Sequence, residues 1–193
     1  MTWMIALLLN HQHVMERVKE EIDRVVGKEK WVEEADIEKL VYLNAIVNET
    51  LRMYPSTLGA PHYATKDCVI RGYKVKKDSI VLCNFWKLHR DPKVWEDPEE
   101  FKPERFLGKE INEGIDFTYI PFGAGRRICP GKDLAEWVIS MTMARLIQGF
   151  ELSTHSNEPV DMTEGFEASL HKATPLEVVV IPRLSFKMYH GYM

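Results

Sequence analysis

From Val14 onward the apolar positions Val14, Val18, Ile22, Val25 and Val26 recur every three to four residues and stop at Gly27, with Glu, Lys and Arg filling the opposite positions. That spacing predicts an amphipathic helix whose charged face is solvated. A second stripe, Leu40, Leu43, Ile46, Val47 and Leu51, predicts a helix over 36–53 that Pro55 stops. The pattern then changes to short alternating or apolar runs around 63–70, 73–75 and 79–84, set off by Gly and Lys-Asp turn signals, which predict a small antiparallel sheet. From Asp91 to Phe122, prolines, Asp-Pro steps and the aromatics Trp95, Phe101 and Phe106 predict an ordered meander without regular structure. Loops of that length are usually functional or well packed. A helix from near Pro130 to about Gln148 follows, and Pro175 to Pro182, with the run Val178 to Ile181, reads as a late buried strand. The fold class is mainly α with small antiparallel β-sheets, an α+β arrangement without repeat, linker or low-complexity tract.

Composition narrows the function classes. A chain of 193 residues with 45% hydrophobic content has material for one core, burying about 70% of the unfolded surface if the fold closes on itself. A net charge of −4 gives no basic field, which argues against nucleic acid as a partner. The apolar run Met1 to Leu9 ends at Asn10, too short to span a bilayer and without the charged start and small-residue cleavage site of a signal peptide. Cys68, Cys83 and Cys129 are odd in number and widely spaced, fitting neither a disulfide framework nor a zinc site. Cys68 and Cys83 read as inert packing residues. His11 and His13 lie two apart, cannot share a helical face and read as junction residues.

The chemistry concentrates in Phe122-Gly123-Ala124-Gly125-Arg126-Arg127-Ile128-Cys129-Pro130-Gly131. Two glycines permit positive φ and a close backbone approach to a flat cofactor. A helix N-terminus and two arginines near a cysteine favour its thiolate form, and a thiolate on haem iron favours O–O cleavage. The loop therefore reads as the ligand loop of an oxygen-activating haem protein. A phosphate loop would need Lys-Ser/Thr after its last glycine, and here Gly131 is followed by Lys132-Asp133. A cysteine protease would need a histidine and an orienting group, for which no family signature is present. A buried structural cysteine in a glycine-rich turn is the bland alternative.

Glu49-Thr50-Leu51-Arg52 sets a carboxylate and a guanidinium three apart on a helix with a core-facing stripe. A buried pair of this kind needs a third partner for its remaining hydrogen-bonding groups, and Arg105 in Pro103-Glu104-Arg105-Phe106 is a candidate. Alone, such a pair is commonly a solvated ion pair worth under about 1 kcal/mol. The order E-x-x-R, P-E-R-F, F-G-x-G-x-R-x-C-x-G is far more specific. It resembles the C-terminal part of a cytochrome P450, the haem-thiolate monooxygenase family. The segments Asn84 to Pro92 and Val160 to Gly165 are similar to plant microsomal members, so the likeness runs over nearly the whole chain.

The resemblance implies a single partial domain over 1–193 with haem, iron protoporphyrin IX, at the loop 122–131. It implies Cys129 as axial iron ligand and catalytic centre, with Arg127 contacting a haem propionate and His62 as a basic propionate partner. Phe122, Gly123 and Gly131 belong to the same cofactor-binding loop. Glu49, Arg52 and Arg105 match a structural triad behind it. Thr57, Leu58 and Gly59, and Phe166 in a turn between late strands, match substrate-pocket regions whose small and apolar character suggests a small lipophilic substrate. Dioxygen and NADPH-cytochrome P450 reductase are the implied co-substrate and electron donor. The implied location is the cytosolic face of the endoplasmic reticulum membrane, held through an N-terminal anchor outside this chain. The first residues resemble the last turns of the family's long distal helix, which places the family's acid–alcohol segment upstream of Met1. The expectation is thus a truncated chain that does not sustain turnover by itself, the alternative being a non-catalytic haem-binding or misfolded remnant.

Overall fold

A computed structural model describes residues 1–108, 117–155, 158–165, 167 and 169–190. Four helices build its centre. α1 (Thr2–Asn10) and α2 (Gln12–Val25) meet at His11, whose φ of −126° and ψ of 72° break the helical path. After α3 (Glu34–Ile37) comes α4 (Val41–Met53). α3 is a short connector; the fourth central helix, α6 (Lys132–Gly149), is reached only after the strands. Met4, Leu8, Val18, Ile22, Leu43 and Ile46 interlock with Met143 and Ile147 in one buried cluster. Full burial of side chains of this size stabilises by roughly 1.5–3 kcal/mol each, so this contact fixes the angles between the helices.

The predicted helix over 36–53 is two helices. Leu40, with ψ of 69°, separates them, and each is capped by a carboxylate. Glu33 and Asp36 form a reciprocal capping box on α3. α4 has no cap from its own N-terminal residue. Instead Glu21, buried on α2, accepts the N–H of Tyr42 at 2.8 Å and of Leu43 at 3.0 Å. This corrects the reading of the α2 charged face as merely solvated: Glu21 and Lys19 are both buried, and Lys19 pairs with Glu16 at 3.0 Å and with Glu151. The C-terminal end of α4 fits expectation, because Pro55 disfavours helical geometry at Tyr54, whose N–H closes the last turn on Thr50 O at 2.7 Å.

Beyond α4 the chain forms β1 (Gly59–Tyr63), β2 (Cys68–Ile70), β3 (Tyr73–Val75) and β4 (Ile80–Asn84). β1 pairs with β4 from Gly59↔Asn84 to Tyr63↔Ile80, and β2 pairs with β3 between them, all antiparallel. The predicted strand over 63–70 is therefore interrupted. At the break Ala64 N–H donates to Ser79 O at 3.0 Å, and Asp67 Oδ1 accepts Lys77 N–H at 2.7 Å. α5 (Phe85–Leu88) follows, and the meander contains a 3-10 turn at Pro103–Phe106. α6 (Lys132–Gly149) starts two residues later than predicted, with Gly131 as its N-cap. It leads straight into β5 (Phe150–Ser153), which pairs with β6 (Val179–Pro182), and α7 (Phe186–His190) closes the described chain.

The late strand is shorter than predicted and not buried, since Val180 is 48% and Ile181 55% exposed. Its only described ladder partner is β5, so the apolar run does not mark an interior strand. Gln148 ties the end of α6 to the chain after α2: Oε1 accepts Val32 N–H at 2.9 Å and Nε2 donates to Gly27 O and Lys30 O. Among the described residues no helix is long and apolar enough to cross a membrane. The observed class is mainly α with small antiparallel β-sheets, as the pattern predicts.

Candidate functional site

Glu49 and Arg52 project from one face of α4 and have no exposed surface. Arg52 Nε donates to Glu49 Oε2 at 2.7 Å and Nη2 to Oε1 at 2.9 Å, a bidentate pair. Arg105, on the 3-10 turn, donates from Nε to Glu49 Oε1 at 3.0 Å, and Lys102 N–H reaches the same oxygen at 3.0 Å. The described residues of the meander form no regular ladder, so their carbonyls need other donors. Arg52 Nη1 supplies His89 O at 2.6 Å and Pro98 O at 2.9 Å; Arg105 supplies Glu96 O at 2.8 Å and Asp97 O at 3.0 Å. Two guanidiniums thus hold residues 89–100 against α4. Trp95, Phe106 and Ala45 pack as a second apolar cluster beside them.

From this cluster the polypeptide continues to Tyr119, whose hydroxyl donates to Asn48 on α4, 3.1 Å from its carbonyl and 3.2 Å from Oδ1. Ile120 N–H donates to His89 Nε2 at 3.0 Å. His89 is fully buried, and its pKa is pushed down to about 4, first by burial and then by the Arg52 guanidinium, with Arg90 adding to the effect. The ring is therefore neutral at physiological pH. Sequence reasoning picked out the segment Asn84 to Pro92 but gave His89 no role; its mixed neighbours Lys87, Leu88, Arg90 and Asp91 do not single it out.

Gly123 donates to Ile120 O at 2.9 Å, and Cys129 N–H donates to Phe122 O at 2.9 Å, closing the loop. Gly123 and Gly125 take φ of 78° and 68°, a region that L side chains enter only with strain. Gly125 to Arg127 make a 3-10 turn, and α6 begins three residues after Cys129. Cys129, Arg126 and Arg127 are exposed. A methyl group at Gly131 would stand 3.9 Å from Cys129 Sγ, so the backbone there passes close to the sulfur. An accessible sulfur, two exposed arginines and a helix N-terminus suit an iron–porphyrin with acidic side chains, and the donor set fits that group. Among the described residues no three His, Cys, Asp or Glu groups gather to hold a metal ion; a porphyrin iron needs only one such ligand here.

The other predicted residues lie elsewhere. His62 is exposed on β1, opposite Val81. Thr57 donates to Gly59 O at 3.1 Å, and Leu58 O accepts Phe85 N–H at 2.9 Å, joining this turn to α5. A side chain at Gly59 would overlap the Cys83 carbonyl oxygen, so the β1–β4 ladder demands glycine there. Phe166 lies outside the described residues; near it, Glu164 bridges Lys172 and Gly165 N–H donates to His171 O at 2.8 Å. Cys68 is half-buried, whereas Cys83 is exposed, which corrects the expectation that both are packing residues.

Comparison with known proteins gives these elements a context. The family model for cytochrome P450 matches residues 1–180. Vinorine hydroxylase of Rauvolfia serpentina is 52% identical over 189 residues, covering 96% of this chain and 39% of that protein. Dimethylnonatriene synthase of Arabidopsis thaliana is 52% identical over 191 residues, covering 98% of this chain and 37% of that protein. A zebra fish cytochrome P450 solved with progesterone superposes with a TM-score of 0.84 at 36% identity, covering 94% of this chain and 40% of that one. The chain thus spans about two fifths of the length of these relatives. With the family model, the sequence match and the backbone likeness in agreement, the chain belongs to the cytochrome P450 family.

Proposed function

We propose that this chain carries the haem-thiolate site of a monooxygenase that inserts one atom of dioxygen into a small lipophilic molecule. The single observation behind the reading is the closed loop 122–131, which holds Cys129 by its backbone while leaving the cysteine exposed at the head of α6. Cys129 would hold the iron, Arg127 and His62 would take the propionates, and Phe122, Gly123 and Gly131 would let the backbone approach the macrocycle. Bound haem with a thiolate ligand supplies the activation of dioxygen. What the polypeptide contributes is position. The Glu49, Arg52 and Arg105 cluster fixes the meander to α4, and Tyr119 and Ile120 fix the start of the loop to the same body.

Electrons would come from NADPH-cytochrome P450 reductase, at the cytosolic face of the endoplasmic reticulum membrane. Relatives named vinorine hydroxylase, flavonoid-6-hydroxylase and nicotine N-demethylase support a monooxygenase acting on a small organic molecule. Thr57, Leu58, Gly59 and Phe166 are the candidates to line its pocket, in a single domain whose cofactor loop is 122–131.

One observation favours a second reading, a haem-binding chain without turnover. Cys129 is exposed, and so are Leu134, Trp137 and Val138 on the helix that follows it, at 66%, 39% and 37%, so an iron held by Cys129 on this chain would be open to water, and catalysis depends on excluding it. Reconstitution with haem, reductase, NADPH and a panel of lipophilic substrates separates the two. The monooxygenase reading expects product in step with NADPH consumed. NADPH consumption that ends in peroxide without product selects the second reading, and no haem uptake at all contradicts both.

A further inference from the structure

His89 is used by neither the ion-pair cluster nor the cysteine loop, yet it touches both. Its main-chain carbonyl accepts Arg52 Nη1 at 2.6 Å, and its Nε2 accepts Ile120 N–H at 3.0 Å. Ile120 O then accepts Gly123 N–H, and Phe122 O accepts Cys129 N–H, each at 2.9 Å. A continuous path therefore runs from Glu49 through Arg52, His89 and residues 120–123 to Cys129.

The ring is held in one orientation. Phe85 stacks near it at 6.3 Å between centroids and 20° between planes, and Tyr119 lies at 5.7 Å. Tyr119 is itself hydrogen-bonded to Asn48 on α4. Because the Ile120 amide donates, Nε2 must present its lone pair, so the ring proton sits on Nδ1. Nδ1 is buried without a hydrogen-bond partner among the described residues. A buried unsatisfied donor is unfavourable, and a phenylalanine would fill the same slot without that cost. The acceptor at Nε2 is what a phenylalanine cannot provide.

We propose that His89 is a positioning residue: its Nε2 fixes the Ile120 amide, sets the register of residues 120–123, and so determines where Cys129 is presented at the head of α6. The functional consequence rests on Cys129 being the iron ligand. The positioning itself does not, and the two are tested separately.

The experiment compares His89→Phe, which keeps the flat shape and loses the acceptor, with His89→Gln, whose Oε1 can reach the same N–H. Both are made in a Cys68→Ser, Cys83→Ser background, leaving Cys129 as the reactive thiol. Hydrogen exchange of residues 120–123 and the rate of Cys129 reaction with an aromatic disulfide are measured on the haem-free chain. In His89→Phe the Ile120 amide should exchange about tenfold faster or more and the Cys129 rate should change with it, while His89→Gln should stay close to the parent in both. Unchanged exchange in His89→Phe overturns the proposal, and so does equal loss of protection in both variants, which would mark a general packing defect. If His89→Phe gives no folded chain, His89→Gln decides alone: a folded variant with an unprotected Ile120 amide overturns it. The ligand reading fails independently if Cys129→Ser leaves the spectrum of the haem-loaded chain unaltered, and the exchange data stand either way.

Discussion

Every guanidinium nitrogen of Arg52 has a partner: the group meets both oxygens of Glu49 and the carbonyls of His89, Pro98 and Glu100, with no exposed surface. Truncation leaves a buried carboxylate short of its partner and strips donors from the meander, a loss of about 3–5 kcal/mol against a domain stability of about 5–15 kcal/mol. Arg52→Ala is therefore expected to be recovered mainly as aggregated, haem-free protein; a soluble variant with a parent-like urea midpoint would contradict this. His89 makes a separate prediction about pH. Its pKa, pushed down from 6.5 to about 4 by burial, Arg52 and Arg90, means the unfolded chain binds its proton first on acidification. Its contribution is then fully present above about pH 6.5 and is lost as pH falls toward 4, by up to about 3 kcal/mol. Urea unfolding at pH 7 and pH 4.5 should show this slope, and His89→Gln should flatten it; an equally steep slope in the variant would assign the effect elsewhere. The spacing of Glu49 and Arg52 was legible in the sequence because helical periodicity puts residues three apart on one face. The carbonyls they collect were not, since nothing local says where an irregular chain returns.

Elements show the same division. The α2 stripe was readable because period 3.6 marks the core face, and Val14, Val18 and Ile22 are buried. The break at Leu40 was not, because its cause is Glu21, some twenty positions upstream, capping α4 from another helix. Two hydrogen bonds to a charged acceptor at a helix N-terminus are worth about 2 kcal/mol. Glu21→Ala should lower stability by that order in urea unfolding, while Glu20→Ala, on the exposed side, should change it by under about 0.5 kcal/mol. Equal effects at the two positions would remove the tertiary cap from the account. Strand limits failed for a related reason. An apolar run such as Val178 to Ile181 looks interior from sequence, but exposure depends on how many strands lie beside it, and β6 has β5 as its described neighbour.

Across the whole molecule, the order of the E-x-x-R, P-E-R-F and cysteine-loop segments identified the family because each is a contact made to the others: α4 to the 3-10 turn through Glu49 and Arg105, and the meander to the loop through His89 and Ile120. What the exposed Cys129, Leu134 and Trp137 face was not legible, because what covers them is not written in their spacing. The central claim, Cys129 as the iron ligand, is tested most directly by the absorption spectrum of the reduced, carbon monoxide-treated chain after haem loading. The account predicts the strongly red-shifted Soret band of thiolate ligation in the parent and its loss in Cys129→Ser. A parent without that band, or a serine variant that keeps it, would contradict the account.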